Sequence, residues 1–85
     1  MIATTTETID GYRINEYLGL VAISKDPRGF FTGVNVDKLI DMLKNEAIEK
    51  YDADAVIGIR FFQYEGNASG DIMVYGTAVK IEEEQ

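Results

Sequence analysis

Asp52 and Asp54 stand two residues apart. Carboxylates at that spacing can share acid–base work or hold Mg²⁺ or Ca²⁺ through oxygen. The plainer alternative is that Asp52 caps a helix end and Asp54 bonds nearby backbone N–H groups. Arg60 lies between Ile59 and Phe61 in an apolar run. A guanidinium there can take a carboxylate or phosphate bidentately, or pair with an acid on another subunit. Tyr17 and Tyr75 bring hydroxyls that can line a pocket between chains or sit in water at a core edge. Phe30 and Phe31 stand between Gly29 and Gly33. One can seal the local core while the other meets a neighbouring chain, or the two can close over a ligand. The candidate ligand-binding residues are thus Tyr17, Phe30, Phe31, Arg60 and Tyr75, and the candidate metal ligands are Asp52 and Asp54.

The sequence also excludes chemistry. It has no His and no Cys. The commonest general base, the thiol nucleophile and the soft-metal ligands are missing together. Ser24 and Ser69 have no visible activating base, so a non-enzyme is expected. Glu65, Asn67, Ser69 and Asp71 alternate oxygen donors, yet they lack the spacing of a calcium loop and read as a turn.

These residues must be positioned by a small set of elements. Met1 to Thr6 reads as an edge strand. Asp10-Gly11 is a turn signal, and Tyr12 to Ser24 a long strand. Strict alternation puts Ile14, Leu18, Leu20 and Ala22 on one side of it and Tyr17, Val21 and Ile23 on the other. Apolar groups on both sides predict a strand covered twice or lying at a subunit contact. Gly19 within it predicts a bulge or close backbone approach. Pro27 and Gly29 make residues 25–35 irregular. Asn35 to Tyr51 is the helix, with Val36, Leu39, Ile40, Leu43, Ala47, Ile48 and Tyr51 as its apolar stripe. Ala55 to Glu65 and Asp71 to Glu82 form a hairpin around Gly66–Gly70. The order is β-β-α-β-β. It predicts an α+β fold in two layers, an antiparallel sheet packed on one main helix.

A chain of 85 residues is one domain, 1–85. At that size only roughly 60–65% of the unfolded surface is buried, so self-association is the simplest source of further burial. The net charge of −7 repels phosphate and anionic lipid, which argues against nucleic-acid and membrane partners. No basic, apolar leader and no spanning run is visible, and cytoplasm is the expected location.

Three stretches together resemble the YbjQ-like family, whose label is heavy-metal binding. Thr5, Thr6, Ile9, Gly11, Tyr12, Ile14, Tyr17, Gly19, Leu20 and Val21 match its opening. Ala53, Asp54, Ala55, Val56, Ile57, Gly58 and Ile59 match its middle, and Gly76-Thr77-Ala78-Val79 its close. The resemblance implies a subunit similar to the small flavin-storage dodecins, with a curved sheet beside a helix and assembly into closed rings, pentamers first. It makes Asp54 the stronger of the two aspartates, because Asp54 lies inside the matching motif. Three departures stand out. Asp52 replaces the family's Gly after the helix, a position expected to be left-handed. The middle is shortened to Pro27–Gly33, without the family's extra helical piece. Only oxygen ligands are on offer, whereas soft metals prefer thiolate and imidazole.

The sequence therefore predicts a non-catalytic homo-oligomer that binds a small ligand or a protein at inter-subunit clefts. A divalent-metal protein using oxygen ligands and a structural or sequestering module are the alternatives. No particular cofactor is indicated.

Overall fold

A computed structural model of the chain describes residues 1–25, 36–63 and 72–84. Four strands and one helix follow in the order β1 (Ile2–Ala3), β2 (Tyr12–Lys25), α1 (Val36–Tyr51), β3 (Ala55–Gln63) and β4 (Ile72–Glu83). The sequence order of elements is as expected. The sheet is mixed, however, and not wholly antiparallel. Its strand order is β1-β3-β4-β2, and β1 runs parallel to β3.

The reason lies in the connections. β2 and β3 both run antiparallel to β4 and so point the same way. α1 joins them across one face, with β4 inserted between, a split β-α-β arrangement. β1 also points that way, but at the far edge of the sheet from β2. The chain between them cannot be a tight hairpin. Residues 4–11 instead follow β3 upward and then cross the face opposite the helix. Thr4 and Thr6 bond the β3 backbone through Ile59 N to Thr4 O and Gly58 N to Thr6 O, at 3.1 and 2.9 Å. Gly11, at φ +83°, turns the chain into β2, and its carbonyl accepts from Glu84 N.

The helix side holds the main core. Leu39, Leu43 and Ala47 of α1 pack on Val21, Val56, Ile59, Val74 and Ala78. Most of these are wholly buried. The buried helical stripe is narrower than the periodicity predicts, since Val36 and Ile48 stay exposed. A second cluster lies on the opposite face, where Ile2, Ile9, Ile14 and Ile81 pack around Ala55, Ile57 and Val79.

Two register shifts in β2, between Ile14 and Glu16 and between Tyr17 and Gly19, correct the alternation read from the sequence. A bulge places two residues opposite one and resets which face follows. Tyr17 therefore joins Ile14, Leu20 and Ala22 away from the helix, and Leu18 joins Val21 and Ile23 beneath it. The two residues trade faces. Gly19, at φ +149°, permits this: a Cβ there would sit 2.5 Å from Tyr51 Oη. That hydroxyl donates to Leu20 O at 3.2 Å and ties the helix end to the bulge.

Candidate functional site

Cross-strand partners share a face, so the register shows what each side of the sheet presents. Away from the helix, Arg60 pairs with Tyr75, and Tyr75 with Ala22. Phe62 pairs with Met73, and Leu20 with Thr77. Tyr17 pairs with Val79, further along. This face has two halves. At one end the segment 4–11 covers it, and Ala55 and Val79 are fully buried. Beyond that cover it is open: Leu20 is 63% exposed, Phe62 52% and Tyr75 36%, and on the edge strand beside Val79 Tyr17 is 68% exposed.

The structure thus brings Arg60 and Tyr75 together as neighbours across two strands. Tyr17 shares their face but lies further along it, opposite Val79, four residues from Tyr75 on β4. Phe30 and Phe31 lie outside the described residues. Arg60 is held at the boundary of the two halves. Its Nη1 donates to Thr5 O at 2.7 Å and to Ile59 O at 2.9 Å. A register shift between Ile57 and Arg60, with Gly58 at φ +61°, gives Arg60 this facing. Without the bulge, alternation from Ile57 would put Arg60 under the helix.

Asp52 and Asp54 form a separate cluster at the helix end. Asp52 occupies the expected left-handed position, at φ 54°. Its N–H donates to Ile48 O at 2.8 Å, which makes the turn an αL helix cap. Asp54 Oδ2 accepts from Ile81 N at 3.1 Å. The ammonium of Lys80 stands 3.6 Å from Asp52 Oδ2 and 3.6 Å from Asp54 Oδ1. Sequence reading missed Lys80. The available signal was a lone cation among the apolar residues of β4, on the side that faces the chain leaving the helix. Phe62 was missed too, as a period-2 neighbour of Arg60 on the open face.

The residues present do not fit a heavy-metal site. Thiolate and imidazole are absent from the chain. Among the described residues no three Asp or Glu side chains gather as a ligand set. The two aspartates that do approach each other already share an ammonium, and one spends an oxygen on a backbone amide. A positive charge lodged between the carboxylates opposes a second cation there.

A family described as "Putative heavy-metal-binding", YbjQ_1, matches residues 35–82. Relatives match over nearly the whole chain. A "UPF0145 protein" of Thermotoga petrophila is 36% identical over 104 aligned positions, covering 96% of this chain and 98% of the relative. Another, of Oenococcus oeni, is 36% identical and covers 98% and 99%. One from Saccharolobus islandicus is 33% identical and covers 95% and 90%. The chain belongs to the YbjQ-like family of small α+β proteins. An aligned length of 104 against 85 residues means that at least 19 positions of the Thermotoga relative have no counterpart here. The fold is similar to a crystal structure of a DUF74-family protein of unknown function from Pediococcus pentosaceus. That likeness has TM-score 0.52 and 23% identity, covering 96% of this chain and 98% of the other. The names of these relatives state no activity. Among the described residues no helix is long and apolar enough to cross a membrane.

Proposed function

We propose that this chain is a non-catalytic, homo-oligomeric binding protein of the cytoplasm, a pentamer first, that takes a small ligand or a protein in clefts between subunits. The observation that carries this reading is the open half of the sheet face away from the helix. Tyr17, Leu20, Tyr75 and Phe62 are large side chains that each keep a third or more of their surface exposed, on a chain short of core. β2 also lies at the sheet edge along 14 residues. A long unpaired edge beside an apolar face favours joining another chain. The deciding experiment is light scattering at micromolar concentration on the protein and on Leu20→Glu. A multiple of the subunit mass is expected, falling in the variant. A monomeric mass for the unaltered protein rejects the reading.

The family description favours a second reading, divalent-metal binding through Asp52 and Asp54. The ammonium of Lys80 weighs against it. Calorimetric titration separates the two. Weak, non-stoichiometric uptake of Zn²⁺, Cu²⁺ or Cd²⁺ is expected, because oxygen ligands suit soft metals poorly. A tight, saturable site on each subunit would restore the metal reading.

A further inference from the structure

Among the described residues three cations are paired with acids, and Lys50 lies over the ring of Tyr51. Arg13 meets Glu82, Lys44 meets Asp41, and Lys80 meets Asp52 and Asp54. Arg60 is different. Among the described residues its contacts are the carbonyls of Thr5 and Ile59, both on Nη1. Carbonyl oxygens fix a guanidinium in orientation without cancelling its charge. Among the described residues, Nε and Nη2 of the fork take no partner. The charge sits on an apolar face of a chain whose net charge is −7, beside Tyr75 and Ala22. The segment 4–11 stands against it as a wall, through Thr5.

We propose that the corner formed by this wall and the open sheet face binds a carboxylate carried on an apolar body, a small aromatic or aliphatic acid. This rests on the binding-protein reading above. Arg60 would receive the carboxylate through the donors its carbonyl contacts leave over, since planar guanidinium and carboxylate match in geometry. The body of the ligand would lie over Tyr75 and Ala22. Charge sets the class. A phosphate carries about two negative charges at neutral pH, and this corner shows a single cation among the described residues. A singly charged carboxylate is matched by one arginine. The apolar floor adds affinity for the hydrocarbon part and selects against small hydrated anions. Because the guanidinium is held in place beforehand, little side-chain entropy is lost on binding.

The test uses the full chain, with benzoate and phenylacetate as probes and benzamide and phenylacetamide as their uncharged isosteres. Ligand-observed NMR supplies the affinities, and native mass spectrometry reads the assembly in the same samples. The acids are expected to bind at least tenfold more tightly than the amides. Arg60→Gln should bring acid and amide within about threefold of each other. Arg60→Lys, which keeps the charge and loses the fork, should fall between. Unfolding midpoints of both variants control for loss of the Thr5 contact, and the lysine variant decides if the glutamine variant does not fold. Equal affinity for acid and amide overturns the proposal. So does discrimination that survives in Arg60→Gln, or inorganic phosphate binding more tightly than benzoate. An oligomer without acid preference removes the carboxylate assignment alone. A monomer that prefers the acids removes the assembly reading and leaves the carboxylate site standing.

Discussion

The two faces of the sheet are built from similar residues and end in opposite conditions. Under the helix, Val21, Val56, Val74 and Ala78 are sealed by Leu39, Leu43 and Ala47. On the other face only one end is sealed, by Ile2 and Ile9, and large side chains then run out into water. One helix covers most of one face, although Phe61, opposite Val74, stays 45% exposed. The eight residues 4–11 cover half of the other. Apolar character in a strand therefore does not tell which face is core. The covering element does, and where it stops the same pattern becomes a surface offered to something else.

The largest expected effect sets the two faces against each other. Leu43→Ala empties a fully buried site and should cost about 2–5 kcal/mol in denaturant unfolding. Leu20→Ala, on the open face, should cost under about 0.5 kcal/mol at low protein concentration. If that face is buried between copies, the Leu20→Ala deficit grows as concentration rises, because assembly stabilises the folded state by mass action. A Leu20 deficit equal to that of Leu43 at every concentration would erase the contrast between the faces.

Gly76→Ala asks how closely the covered side is packed. A Cβ at Gly76 would lie 2.7 Å from Val56 Cγ1 and 3.0 Å from Ile57 O. The second neighbour is backbone and cannot swing away. The loss should be about 1–3 kcal/mol, as for other overpacked sites. Thermal or denaturant midpoints measure it, and a neutral outcome would mean that β3 and β4 shift apart at little cost.

The same contrast shows what the sequence conveys. Element types and order are legible because long periodic segments and Gly or Pro breaks are local signals. The family is legible from Thr5–Val21, Ala53–Ile59 and Gly76–Val79 read together. The left-handed residue is legible because Asp52 follows the helix where the family pattern this chain resembles has Gly, and it lies at φ 54°. The parallel pairing of β1 with β3 is not, since it depends on residues 53 positions apart, such as Ile2 and Ala55, meeting at a sheet edge. The exchange of Tyr17 and Leu18 between faces is not legible either. Gly19 announces a bulge, but alternation carries no record of how many residues the bulge absorbs, and β2 has two. Arg60 and Tyr75 were both legible as candidates. That they are neighbours follows only from the hairpin register and the shift at Gly58.

Asp54→Ala probes the helix end, where the two layers are tied. It removes the acceptor for Ile81 N and one partner of Lys80. A loss of about 1 kcal/mol is expected, the ordinary value of one hydrogen bond. The exposed ion pair adds little. No loss would mean that solvent replaces both contacts.

Asp52→Gly carries the smallest effect and has the opposite sign. Asp52 sits at φ 54°, where a side chain crowds its own backbone. Its carboxylate is almost wholly in water and 3.6 Å from the ammonium of Lys80, so that attraction is weak. Glycine removes the crowding but gives the unfolded chain more freedom, which returns part of the gain. The net result should be a rise in stability of at most about 1 kcal/mol, read from denaturant midpoints at matched concentration. Asp54 keeps Lys80 in either protein, so the layers stay tied and only backbone strain changes. A clear loss in the glycine variant would show that Asp52 contributes more through its carboxylate than its backbone costs. The aspartate pair would then rank beside the open sheet face as a functional site.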